Sequence, residues 1–192
     1  NNIPEWFIES CKKISYLFPR AHAVAYVMMA FRIAWFKVYH PLAFYAAYFS
    51  IRAKAFDLRI MTGDLNTQLK EFNRIKSLDR GASPKEKDLM SALEVSMEMY
   101  QRGYRFINVD IQHSGARRFS IKDGALLPPF LAIDSLGETV ADAIVEERDT
   151  KPFTSLKDLQ RRCKVSATII ETMKELKCCG DLPEDEQMSL FG

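Results

Sequence analysis

A mainly α-helical fold is predicted by three observations on the 192-residue chain. Apolar residues recur at helical spacing through most of it. Prolines and capping residues interrupt it at helix-length intervals, and only the stretch from Tyr104 to Leu127 reads as short strands. With 47% hydrophobic residues the chain can bury a real core, as one domain or two small ones, which excludes disorder throughout. The formal charge is +2, from 27 basic and 25 acidic residues, so nucleic-acid binding has to use local charge or backbone donors rather than a bulk basic field. Residues 1–60 are the electropositive part, with eight Lys and Arg against three Asp and Glu.

Element by element, Pro4 at a first-turn position starts a helix through about Phe18, and Pro19 breaks it. A long apolar helix follows from Ala21 and is stopped by Pro41. The run Ala21 to Val38 is near bilayer-spanning length, but His22, Arg32 and Lys37 inside it make burial in protein the better reading, with no membrane as a partner. A third helix, Leu42 to Ala53, is rich in aromatics. Residues 64–80 form a more polar helix with Leu65, Leu69, Phe72 and Ile75 on its apolar side. Ser83-Pro84-Lys85-Glu86 is a capping box with proline at the first helical position, and Gly103 stands where that helix should end. Its inner stripe is Leu89, Leu93 and Met97. Phe106–Ile111 and Arg118–Ile121 are predicted strands, with Asp123-Gly124 as a turn.

After Pro128-Pro129 the chain turns helical again. Phe130 to Ile133, Ser135-Leu136-Gly137 and a helix over Glu138 to Arg148 look like a helix-hairpin-helix unit. Gly137 allows close backbone approach to a ligand, and the unpaired N–H groups of the next helix begin there, a phosphate-binding device that needs little charge. Such contacts fix position on DNA rather than read its sequence. A second copy has Ser155 as cap and the connector Lys164-Val165-Ser166 before a helix with Ile169, Ile170, Met173 and Leu176, ending before Gly180. It lacks a glycine in its turn and packs the pair together or reaches phosphate through Arg161, Arg162 and Lys164. The DNA-binding candidates are Leu136, Gly137, Glu138, Thr139, Lys164 and Ser166.

Cys11, Cys163, Cys178 and Cys179 do not form a paired metal-binding pattern and read as reduced thiols of a cytosolic protein. The chain opens without Met at Asn1-Asn2-Ile3-Pro4 and looks like a piece of something longer. Its last residues carry an acidic run, Glu184-Asp185-Glu186, and then Gln187-Met188-Ser189-Leu190-Phe191. A polar hook followed by alternating apolar residues and an aromatic suits a greasy pocket on another protein. This pentapeptide resembles the motif by which bacterial replication proteins bind the sliding clamp.

The stretch Phe18-Pro19-Arg20-Ala21-His22-Ala23-Val24-Ala25-Tyr26-Val27, continued by Arg32 to Val38 and His40-Pro41, closely resembles the fingers of bacterial C-family replicative DNA polymerases. The details resemble the Gram-positive type, PolC. The similarity extends over Pro4-Glu5-Trp6, Ser10 to Lys13, Asp110 to Phe119, Pro128-Pro129-Phe130 and Leu182-Pro183. Arg20 stands where the family usually has Lys, and Ser135 replaces the first glycine of a Gly-Leu-Gly hairpin.

This resemblance implies a helical fingers region over residues 1–104, a β-hairpin connector over 105–128, a tandem helix-hairpin-helix domain over 129–181 and a flexible clamp-binding tail over 182–192. It implies the C-terminal part of a DNA-directed DNA polymerase, a cytoplasmic nucleotidyltransferase at replication forks. Its partners would be primer-template DNA, deoxynucleoside triphosphate and the sliding clamp. No cofactor is expected on this segment, and Mg²⁺ is expected in the palm of the full-length enzyme. Nothing here substitutes for the palm aspartates, so no catalytic or metal-binding residue is assigned and the segment alone is expected to be inactive.

Arg20, His22 and Tyr26 are the nucleotide-pocket candidates. Arg20 would meet phosphate just before the helix, while His22 and Tyr26, at i and i+4, share a face. From spacing alone, two satisfied core residues on an apolar helix are the better reading, and it is the family resemblance that raises the functional one. Two other classes of protein remain open at this point. One is a non-enzymatic helix-hairpin-helix adapter that docks on the clamp. The other is a purely structural helical domain.

Overall fold

The structure, a computed structural model, describes residues 2–13 and 20–185. The chain divides into two compact units, residues 1–40 and 41–192. In the first, α1 (Glu5–Lys12) closes with Lys13 as its C-cap, and the predicted continuation to Phe18 lies outside the described residues. Helix α2 (Arg20–Tyr39) begins at Arg20 itself rather than after it. The expectation that α2 is buried in protein is not met within this chain, because none of its side chains is buried. Val24, Val27, Phe31, Ile33, Trp35 and Val38 are all at least half exposed. With Tyr26, Met29 and Phe36 exposed on its other sides, apolar residues lie all round the helix, so it lacks the one-sided stripe by which a helix docks on a neighbour. Among the described residues α2 alone has the length and composition to cross a membrane.

The second unit starts at α3 (Pro41–Ile51), whose first residue has no N–H to continue the preceding helix. Then come α4 (Leu58–Met61), α5 (Leu65–Ser77) and α6 (Pro84–Gln101). Asp57 and Asp64 cap α4 and α5 through their carboxylates. Ser83 and Glu86 form the predicted capping box of α6, a device that contributes about 1 kcal/mol. Gly103 follows the C-cap of α6 at φ +85°, as a helix end requires.

The buried faces of α5 and α6 are rotated from the predicted stripes. Leu69 is 45% exposed, and Gln68 is fully buried in its place. Burial of that amide is offset by two hydrogen bonds: Gln68 Nε2 donates to Met61 O at 3.1 Å, and Ser96 Oγ donates to Gln68 Oε1 at 2.6 Å. On α6, Ala92, Leu93, Ser96 and Met99 are buried, while Leu89 and Met97 are half-buried.

The predicted strand over Phe106–Ile111 is not formed. Only a single parallel bridge, Phe106 to Leu126, remains of it. The regular pair is β1 (Ser120–Lys122) against β2 (Ala125–Leu127), antiparallel about the predicted Asp123-Gly124 turn. The reason is competition for backbone partners. Ile111 N donates to Cys178 O, while Asp110 takes the N–H of Gln112 on its side chain and turns the chain.

Beyond β2, Phe130–Ala132 is one 3₁₀ turn, followed by α7 (Glu138–Thr150), α8 (Leu156–Cys163) and α9 (Ala167–Glu175). Helix α9 ends at a left-handed Lys177 (φ +54°), before the Gly180 predicted to follow it.

Two apolar cores result. One gathers Tyr45, Phe49, Met61, Ile75, Leu93, Met99, Phe106 and Leu126. The other gathers Val109, Ile111, Phe130, Ile133, Leu136, Ile144, Leu159, Cys163 and Met173. Residues 105–128 feed both. Phe56 packs against both, with its ring 5.1 Å from Phe106 and 5.0 Å from Phe119.

Candidate nucleic-acid interface

The two hairpin turns repeat one backbone pattern. In the first, Ser135 is left-handed (φ +64°), Leu136 is buried and Gly137 is the extended N-cap of α7 (φ −77°, ψ 158°). In the second, Lys164 is left-handed (φ +54°), Val165 is buried and Ser166 is the extended N-cap of α9 (φ −68°, ψ 153°). Geometrically the second turn is a full copy that forms its left-handed step without glycine. Sequence reading missed this, because a left-handed Ser or Lys leaves no local signal. Ser135 and Thr168 line one hollow of about 310 Å³, with Arg59, Lys85 and Asp134 also at its wall.

The two N-caps differ in what they leave open. Ser166 Oγ accepts from Ile169 N at 3.3 Å, so α9 is capped by its own side chain. Gly137 offers no side-chain cap. Val140 N and Ala141 N donate to Gly137 O, while the N–H groups of Gly137, Glu138 and Thr139 have no acceptor among the described residues. A Cβ added at Gly137 would meet nothing within 4 Å. The glycine therefore relieves no clash or strain within the fold, and it leaves the helix N-terminus bare and approachable from outside. Gly137, Glu138 and Thr139 are exposed, whereas Leu136 is 4% exposed and serves the core, so it is not a surface contact.

Arg117, unremarked in the sequence, stands beside this helix end and is paired with two of its carboxylates. Its Nη1 lies 2.6 Å from Glu138 Oε2, and its Nε donates to Asp142 Oδ1 at 3.1 Å. The hydrogen bond from Arg117 holds the Asp142 carboxyl below the usual range. Arg162 is likewise committed to two carboxylates, and it is more buried than Arg117. Its Nε donates to Glu147 Oε2 at 3.0 Å, its Nη1 to Asp158 Oδ2 at 3.2 Å, and its guanidinium stacks 4.7 Å from the Phe153 ring centroid. Arg161 pairs with Asp158 at 2.8 Å. Asp158 is 6% exposed. Burial raises its pKa, but hydrogen bonds from Arg161, Thr154 N and Arg162 outweigh this and bring it down to about 2. Lys164 remains exposed at the second turn.

In the first unit His22 and Tyr26 do share a face of α2, with ring centroids 4.5 Å apart, and Tyr26 is 66% exposed. Arg20 stands in the first turn of the same helix. Gln187, Met188, Ser189, Leu190 and Phe191 lie outside the described residues. No group of three or more His, Cys, Asp or Glu side chains suited to a metal ion occurs among the described residues.

Residues 103–188 match the family described as the helix-hairpin-helix motif. The whole chain is 49% identical over 191 residues to the protein named DNA polymerase III PolC-type of Caldanaerobacter subterraneus subsp. tengcongensis, covering 14% of that relative. It is 48% identical over 193 residues to the protein of the same name from Streptococcus pyogenes serotype M1, covering 13% of it. The chain thus spans about one seventh of the length of the curated relatives it matches.

Proposed function

Because this chain is homologous from end to end with a segment of DNA polymerase III PolC-type, we propose that it is the part of a replicative DNA polymerase that holds duplex DNA, completes the nucleotide pocket and tethers the clamp. The observation that carries the reading is the bare N-terminus of α7 at Gly137, a set of open N–H donors at the positive end of a helix dipole. Gly137, Glu138 and Thr139 present it to a DNA phosphate, and Lys164 and Ser166 offer a weaker second contact. Neither turn reads bases, so the grip is independent of sequence and depends on salt.

Residues 1–104 serve as fingers, with Arg20 toward the triphosphate and the His22–Tyr26 face toward the incoming nucleotide. Residues 105–128 connect, 129–181 grip the duplex, and 182–192 dock on the sliding clamp through Gln187, Met188, Ser189, Leu190 and Phe191. The apolar surface of α2 fits a helix covered by the rest of a longer polymerase, in the cytoplasm. The carboxylates and Mg²⁺ of nucleotidyl transfer belong to that remainder, and this segment alone is inactive.

Titration of a bacterial sliding clamp with the chain tests the tether. Binding by the parent, lost in a Gln187→Ala, Phe191→Ala variant, supports it. Equal binding by both removes the tail from the proposal.

A further inference from the structure

The segment leading to the terminal pentapeptide is built into the fold. A helix N-terminus leaves its first backbone N–H groups without partners, and in α8 those of its first three residues are all satisfied. Asp158 N donates to the Ser155 Oγ at 3.0 Å. The other two are served by the chain's far end: Leu156 N donates to Pro183 O at 2.9 Å, and Lys157 N to Glu184 O at 3.2 Å. The acidic side chains reinforce the contact from two helices. Lys157 of α8 pairs with Asp185, and Lys174 of α9 pairs with Glu184 at 2.8 Å. Leu182 packs against the second apolar core.

We infer that residues 182–185 form a stem locked onto α8 and α9, which fixes the point and the reach from which the terminal pentapeptide engages the clamp. The inference rests on the clamp-tether reading and adds a mechanism to it. Gln187 follows Asp185 by two residues, a reach of at most about 7 Å. Were the stem released back to Leu182, the tether would be five residues long. Effective concentration falls roughly as the −3/2 power of linker length, so release weakens joint engagement of duplex and clamp about fourfold. The backbone hydrogen bonds set position. The exposed ion pairs add a modest, salt-screened contribution. Glu184 and Asp185 are, on this account, a latch.

The test compares the parent with two variants. One carries Glu184→Lys and Asp185→Lys; the other carries an insertion of about eight Gly and Ser residues between Asp185 and Glu186. All should bind the free clamp within about twofold, since the pentapeptide is untouched. On a clamp encircling primer-template DNA, the charge variant should bind about fourfold and the insertion about tenfold more weakly than the parent. Hydrogen exchange at the Leu156 and Lys157 amides should be slow in the parent and fast in the charge variant. Fast exchange at both amides in the parent, or equal clamp–DNA affinity of parent and insertion variant, overturns the stem. If Gln187→Ala, Phe191→Ala leaves clamp binding intact, it is the tether reading that fails, and the amide exchange still decides whether the stem exists.

Discussion

Replacing Gly137 by Asp should raise stability and weaken DNA binding at once. Residue 137 already has extended N-cap geometry at φ −77°, and a Cβ there meets nothing within 4 Å, so the side chain enters without strain. An aspartate at an N-cap accepts from the helix's second or third N–H. The gain over glycine is a few tenths of a kcal/mol from the cap and about 0.3–1 kcal/mol from the helix dipole. The same carboxylate occupies the donors proposed for a phosphate and repels it. Each hydrogen bond to a charged group contributes about 1.5–3 kcal/mol, and about 1.4 kcal/mol is tenfold in affinity. Losing one such contact therefore weakens duplex binding about tenfold to a hundredfold.

Fluorescence anisotropy with a short primer-template at low salt measures the binding, and thermal melting measures the stability. A variant that melts at or above the parent temperature and binds DNA equally well refutes the phosphate site at α7. A variant that melts well below it refutes the premise that these N–H groups are open.

Ser135→Gly should stabilise the chain by about 0.5–1 kcal/mol, since relief of a left-handed non-glycine residue exceeds the added backbone entropy; no gain in denaturant midpoint would count against strain at the hairpin. Asp158→Ala should cost about 3 kcal/mol, because it removes one partner from a buried ionic cluster and leaves Arg162 with Glu147 as its one remaining carboxylate. The pH dependence follows from the same group. The folded pKa of about 2 lies below the ordinary carboxylate value, so its stabilisation is fully present above about pH 4 and is lost as pH falls toward 2. Acid melts of the Asp158→Asn variant should lack that component. Of the four cysteines only Cys11 is exposed, and burial raises Cys163, Cys178 and Cys179 to about 11, 12 and 11. One thiol should therefore react with a disulfide reagent at pH 8 in the native chain, and four after denaturation.

Punctuation was the legible part of the sequence. Ser83, Glu86, Gly103 and Ser155 act through local rules, and each caps or closes the helix expected of it. The apolar faces of α5 and α6 were less legible, because a buried Gln68 paired with Ser96 cannot be recognised from periodicity. Phe106–Ile111 alternates like a strand yet spends its backbone partners on Cys178 O and on an aspartate turn, and such long-range competition leaves no local trace. At the candidate interface, Gly137 was readable as a bare helix start. Arg117 and Arg162 were not distinguishable from other surface cations, although one lies beside that start and the other is sealed between Glu147 and Asp158.

Phe56, the side chain on which both cores close, has a mechanical meaning. Traction at residue 185 is taken up first by α8 and α9, and so by the core around Leu159 and Met173. To reach the core around Tyr45 and Leu93 it must cross a seam made by one aromatic ring, the short helix α4 and the strut of residues 105–128. Strain arriving from the chain's end therefore reaches α3 and α6 through those few elements.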